Sequence, residues 1–114
     1  MIDFTLPDVI YLMPGSTSMR QPLSYLATLI QSSTAFHPHQ SAAYLFCNDS
    51  RYILRILYWE GNSFMELRYH VEKGRFQWPG GDLKFREISL WQLERLLQGD
   101  ALLPPIKAPQ LKLN

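Results

Sequence analysis

The sequence predicts an α+β domain, an antiparallel β-meander of about four to six strands with two short helices packed on one face. Three observations predict it. Apolar residues recur at helical spacing near residues 23–30 and again near 90–97. Between these stretches, over residues 42–78, the period shortens to two. The short runs there are separated by tight-turn residues, and strands joined by tight turns must be antiparallel. Residues 1–103 are expected to form this domain. Residues 104–114, broken by Pro104, Pro105 and Pro109, are expected to form an extended, flexible tail.

The first strand is expected at 9–13, ended by the turn signal Pro14-Gly15. Leu23, Leu26, Ala27 and Ile30 then mark one apolar face of a helix. Its start has two readings: a capping box from Ser18 to Gln21, or Pro22 in the first turn. After the loop His37-Pro38-His39-Gln40, residues 42–47 read as a short apolar strand closed by Asn48-Asp49-Ser50. Residues 51–59 form the strongest strand signal, apolar on both faces with Arg55 the one interruption, so this strand belongs inside the sheet. Past the hairpin turn Glu60-Gly61-Asn62, Met65, Leu67, Tyr69 and Val71 face one way and Glu66, Arg68 and His70 the other. A second hairpin turn at Glu72-Lys73-Gly74 should return the chain as a strand over 75–78. A short strand over 85–88 follows, and then the clearest helix start. Ser89 and Gln92 have capping-box spacing, Leu90, Leu93 and Leu97 share a face, and Gly99 stands where a terminating glycine belongs.

Composition narrows the function. With 114 residues the chain fits one domain, and 46% hydrophobic against 18% charged residues is an ordinary globular balance. Eleven Lys and Arg against ten Asp and Glu give a net charge of +1, too little for a protein that binds nucleic acid by charge alone. One cysteine, Cys47, excludes an internal disulfide and fits a reducing compartment. The N-terminus has no basic segment followed by an apolar one, and no stretch approaches the roughly 20 apolar residues of a membrane span. A cytoplasmic protein without membrane contact is expected.

No catalytic constellation emerges. His37 and His39 are a lone pair in a loop, whereas a metal site needs three or four converging ligands. Cys47 falls in an apolar strand, where a thiol is buried and inert. The carboxylates, from Asp3 and Asp8 to Asp100, are scattered. Pro14-Gly15-Ser16-Thr17 lacks the glycine spacing and the lysine of a phosphate loop. What remains is basic and aromatic: Arg55, Arg68, Lys73, Arg75, Lys84 and Arg86, interleaved with Tyr58, Trp59, Tyr69, Phe76 and Trp78. Such a surface can hold phosphates or carboxylates and stack rings.

Two segments carry a family resemblance. The first is Leu54-Arg55-Ile56-Leu57-Tyr58-Trp59-Glu60-Gly61-Asn62-Ser63-Phe64, and the second Glu72-Lys73-Gly74-Arg75-Phe76-Gln77-Trp78-Pro79. Together they resemble the small accessory protein, of the TnpB or second-reading-frame type, of the insertion sequence sixty-six family of bacterial transposable elements. Trp59, Glu60, Gly61, Glu72, Gly74, Arg75, Phe76, Trp78 and Pro79 match its pattern, and Met19-Arg20 resembles its helix start. The sequence departs from the pattern at Ser18, Gln21-Pro22, Asn48-Asp49-Ser50-Arg51 and Tyr69-His70-Val71, and the last three departures remove positive charge.

The resemblance implies a non-catalytic accessory protein in transposition that docks on a separate transposase, with DNA as a second candidate partner that the low net charge disfavours; the residues themselves lead to no expected cofactor or metal. The candidate contacts are Arg20, Arg55, Arg68, Lys73, Arg75 and Arg86, with Trp59 and Trp78 as shape-defining rings. The rival readings are a protein-interaction domain, a homodimer among its forms, with no nucleic-acid role, and a small enzyme using Cys47 or the histidines.

Overall fold

A computed structural model of the chain describes Pro7 and residues 9–100. These contain β1 (Val9–Leu12), α1 (Leu23–Gln31), β2 (Ala42–Cys47), β3 (Ile53–Trp59), β4 (Phe64–His70), β5 (Arg86–Ile88) and α2 (Leu90–Leu97). The expected tail at 104–114, the domain's expected last residues at 101–103, and Asp3 and Asp8 lie outside the described residues. The fold is α+β, as the periodicities predict. Its five strands run in the order β4-β3-β2-β1-β5.

The sheet is mixed, because only part of it is a meander. β2, β3 and β4 are joined by tight turns and pair antiparallel. β1 and β2 are joined through α1, and a crossover of that kind lets them run parallel, with Val9 beside Ala42 and Leu12 beside Leu45. β5 then returns to pair antiparallel with the outer side of β1, Ile10 facing Ile88.

β2 explains where the helices sit. Every one of its residues is buried, so it needs cover on both faces. Ala43, Leu45 and Cys47 join Ile10, Leu12, Leu54 and Ile56 beneath Leu93 and Leu96 of α2. Ala42, Tyr44 and Phe46 join Leu57 and Trp59 beneath Leu26 and Ile30 of α1. The helices therefore pack on opposite faces rather than on one. A meander with one solvated face would carry polar residues on alternate positions, and β2 and β3 do not. The α1 side is the more aromatic: Tyr11 stacks on Tyr44 at 5.4 Å, and Phe85 meets Tyr44 and Phe46 edge-on.

Two local expectations change. Residues 75–78 form no strand, although Gly74 has the positive φ of 78° that the turn requires. The period-two pattern is real, since Phe76 and Trp78 point into the α2-side core. Their backbone and side-chain bonds, however, go to loops. Phe76 N–H donates to the Arg51 carbonyl at 2.7 Å, and the Trp78 indole N–H donates to the Met13 carbonyl at 2.9 Å. α1 takes neither simple start: Pro22 is its N-cap residue and no side chain caps it, while Ser18 accepts a bond from Arg20 N–H. At α2 the expected capping box forms in full, Ser89 Oγ accepting from Gln92 N–H and the Gln92 side chain from Ser89 N–H.

Arg55 overturns one of the expected contacts. It is 1% exposed, on the α1 side of β3. Its Nε donates to Glu66 Oε2 at 2.5 Å, Nη2 to Glu66 Oε1 at 3.0 Å, and Nη1 to the Gln21 carbonyl at 2.6 Å. A guanidinium so enclosed is a structural tie and not a contact for a partner. Burying it requires a fixed counter-charge, and Glu66 on the neighbouring strand supplies one in bidentate geometry. The Arg55 hydrogen bonds, with help from Arg68, hold the Glu66 carboxyl below the usual carboxylate range.

Glu66→Gln strands a buried cation and should cost about 3 kcal/mol in chemical denaturation, whereas Arg55→Met leaves a carboxylate that Arg68 and water still serve and should cost less than about half as much. Because the Glu66 pKa is depressed on folding, its contribution is complete above the ordinary value of about 4.3 and is lost as pH falls through the folded value. Glu66→Gln should accordingly flatten the acid limb of a stability–pH curve; an unchanged limb would remove the pair from this role. Gly15 has a φ of 80°, and an added Cβ would lie 3.1 Å from Leu83 Cδ2. Gly15→Ala should destabilise by about 1–2 kcal/mol in the same assay.

Candidate functional site

The turn between β2 and β3 is built by side chains acting as backbone. Asn48 Oδ1 accepts from Tyr52 N–H and Ile53 N–H, each at 3.0 Å. Arg51 takes a φ of 65°, and its Nη1 donates to the Gly15 carbonyl at 2.6 Å. The turn is thereby tied to the loop after β1 on one side and, through the Arg51 carbonyl, to Phe76 on the other. Asn48 at the start and these anchors at the end fix where Tyr52 emerges.

Tyr52 stands between two shallow depressions. One, about 570 Å³, is lined by residues 16–20, 48–50, 52 and 53 and is rich in hydroxyls, with Arg20 and Asp49 in its wall. The other, about 650 Å³, is lined by Tyr52, His70, Val71, Glu72 and Arg75. The Arg75 guanidinium carbon lies 5.3 Å from the centre of the Tyr52 ring, and the His70 ring lies 5.3 Å from it on a 40° tilt. Arg75, Tyr52 and His70 form one surface group. A cation held against a ring stays available to a carboxylate or phosphate while its approach direction is restricted.

The sequence-predicted residues fall into three sets. Arg20, Lys73 and Arg75 are exposed at this end of the sheet, Arg20 in one depression and Arg75 in the other. Arg68 projects from β4 with its Nε 3.2 Å from Glu66, and Arg86, on β5, donates to Asp82 at 2.6 Å. Arg55, Trp59 and Trp78 are interior. The Trp59 indole donates to the Pro38 carbonyl at 3.0 Å and the Trp78 indole to Met13, so both rings shape the fold from within. Tyr52 and His70 were not among the expected contacts. No periodicity distinguishes them, and only the tertiary meeting of two turns brings them to Arg75.

The groups considered for chemistry are dispersed. Cys47 is fully buried, and burial pushes its thiol pKa up, away from the reactive thiolate. His37 and His39 are exposed in their loop. Among the described residues, no three His, Cys, Asp or Glu side chains group to hold a metal ion, and no helix is long and apolar enough to cross a membrane.

Comparison with known proteins agrees with the fold's sequence landmarks. The protein y4hO of Sinorhizobium fredii (strain NBRC 101917 / NGR234), described only as uncharacterized, is 27% identical over 90 residues, spanning 79% of this chain and 78% of that one. No solved structure matches. The family described as IS66 Orf2 like protein, of the TnpB type, matches residues 8–105. That match takes in all seven elements, both turns flanking Tyr52 and the Gly74–Pro79 segment, and the chain is therefore a member of the IS66 Orf2-like family, whose proteins are accessories of transposition.

Proposed function

We propose that this protein is a non-catalytic accessory factor that docks on the transposase of its element through the surface centred on Tyr52. The observation that carries the reading is the Arg75–Tyr52–His70 group, in which exposed Arg75 and His70 flank a half-buried Tyr52 between two polar depressions. Rigid anchoring of that surface supports it, because a preordered ring and guanidinium lose little freedom on binding. Arg20 and Arg75 are the leading contacts, with Lys73 beside them.

Charge favours a protein over a nucleic acid as the main partner. Asp49 shares the depression of Arg20, and Glu72 shares that of Arg75. Phosphate binding depends on accumulated positive charge, whereas a protein surface can match paired signs. DNA contact, as the secondary role, would involve Arg68 and Arg86 only after they leave Glu66 and Asp82.

Co-purification with the transposase of the same element tests the reading. Arg75→Glu should weaken the association at least about tenfold, and Tyr52→Ala by a similar factor, with the melting curve retained for the exposed Arg75. Retention on DNA should be weak at about 50 mM salt and vanish as salt rises. Wild-type association by both variants would overturn the docking surface, and strong DNA retention lost in Arg75→Glu would make DNA the partner instead.

A further inference from the structure

The two edges of the sheet are unlike. β5 is three residues long and offers little to a neighbour. β4 is seven residues long, and among the described residues nothing pairs with its outer side. Val71 N–H donates to the Tyr52 carbonyl and Glu60 N–H to the Ser63 carbonyl, so the odd-numbered residues of β4 direct their backbone groups at β3. The even-numbered ones, Phe64, Glu66, Arg68 and His70, direct N–H and C=O outward. Four residues thus present donors and acceptors to whatever lies alongside.

We propose that this edge pairs with the same edge of a second copy, antiparallel about a two-fold axis at Leu67. Only that register satisfies both the backbone and the side chains. Outward backbone groups require even residues to face even residues. Centring the axis on Glu66 or Arg68 would set like charges opposite each other, which destabilises a sheet. Centring it on Leu67 sets Glu66 opposite the partner's Arg68, and Arg68 opposite the partner's Glu66. Directly opposed residues are about 5.5 Å apart in a hydrogen-bonded pair, closer than the two-residue step of roughly 6.6 Å along one strand. The Cα of each Arg68 would then lie nearer that of the partner's Glu66 than that of its own, so the guanidinium can bridge to both carboxylates.

The other face of the strand agrees. Met65 meets the partner's Tyr69, Leu67 meets the partner's Leu67, and Tyr69 meets the partner's Met65. Met65 and Tyr69 are 38% and 47% exposed in the isolated chain, and Leu67 already packs against the α2-side core. Pairing would extend that core across the axis and make one continuous sheet of the two subunits. The central five residues of β4 are self-complementary in this register: apolar with apolar on one face, acid with base on the other, with Phe64 and the partner's His70 opposed at each end.

A seam of this size is small for an interface, so we expect a dissociation constant on the order of 10 μM. Sedimentation equilibrium of the full chain should show it, and Arg68→Glu, which sets carboxylate against carboxylate twice, should weaken it at least about tenfold with the circular dichroism spectrum unchanged. Leu67→Cys fixes the register. Non-hydrogen-bonded pairs hold their Cα atoms about 4.5 Å apart, within disulfide reach, so this variant should oxidise to a covalent dimer. Met65→Cys would place its own copies more than about 13 Å apart along the strands and should not. A chain that stays monomeric up to about 200 μM, a dimer indifferent to Arg68→Glu, or equal cross-linking at both cysteines would overturn the proposal. None of these outcomes involves transposase or DNA, so the proposal stands or falls separately from the docking surface.

Discussion

The buried guanidinium of Arg55 is the constraint around which the rest of the α1 side is arranged. A charge that is 1% exposed survives only where its donors are met, and the donors here tie β3 to two other parts of the chain. Glu66 brings in β4, and the Gln21 carbonyl brings in the entry to α1. Apolar packing alone would let β4 slide or the helix entry shift, since hydrophobic contact is non-directional. The fixed fork of the guanidinium sets both at once. β4 can then remain an edge strand with mostly exposed side chains and still hold a defined register.

Most of the fold was legible because its elements follow local rules. The Ser89 capping box, the turn at Asn48 and the hairpin from β3 into β4 are all matters of neighbouring residues, and each formed as read. The misread parts depend on contacts distant in sequence. A helix between two strands permits parallel pairing, but only tertiary structure says that β1 lies beside β2 with β5 outside it. Residues 75–78 alternate like a strand because they line a core, and alternation alone does not reveal whether a ladder partner exists. The opposite-face helices were recoverable in principle, since β2 and β3 are apolar on both sides.

The site was less legible for the same reason. Basic residues are easy to find in a sequence, but their exposure is not. Arg55 and Arg75 look equivalent on neighbouring runs, yet one is a strut and the other lies on a ring at the surface. What distinguishes them is the acid across the strand: Glu66 faces the α1 side beside Arg55, while Arg75 has a tyrosine below it. Trp59 and Trp78 earned attention as large rings and turned out to donate inward, as buried indoles do. The candidate surface depends instead on Tyr52, a residue that no sequence pattern singles out.

The strand order has a consequence for how the molecule is made. Among the described strands β1 is made first, yet its neighbours are β2, which follows a whole helix later, and β5, which comes last. Until then β1 is a half-paired apolar ribbon, with the partner for its open side still unsynthesised. Closure of the sheet is a late, long-range event, of the kind that folds slowly and exposes intermediates to aggregation. Translation pausing, chaperone capture and truncation should therefore act most strongly before Ile88 has left the exit tunnel.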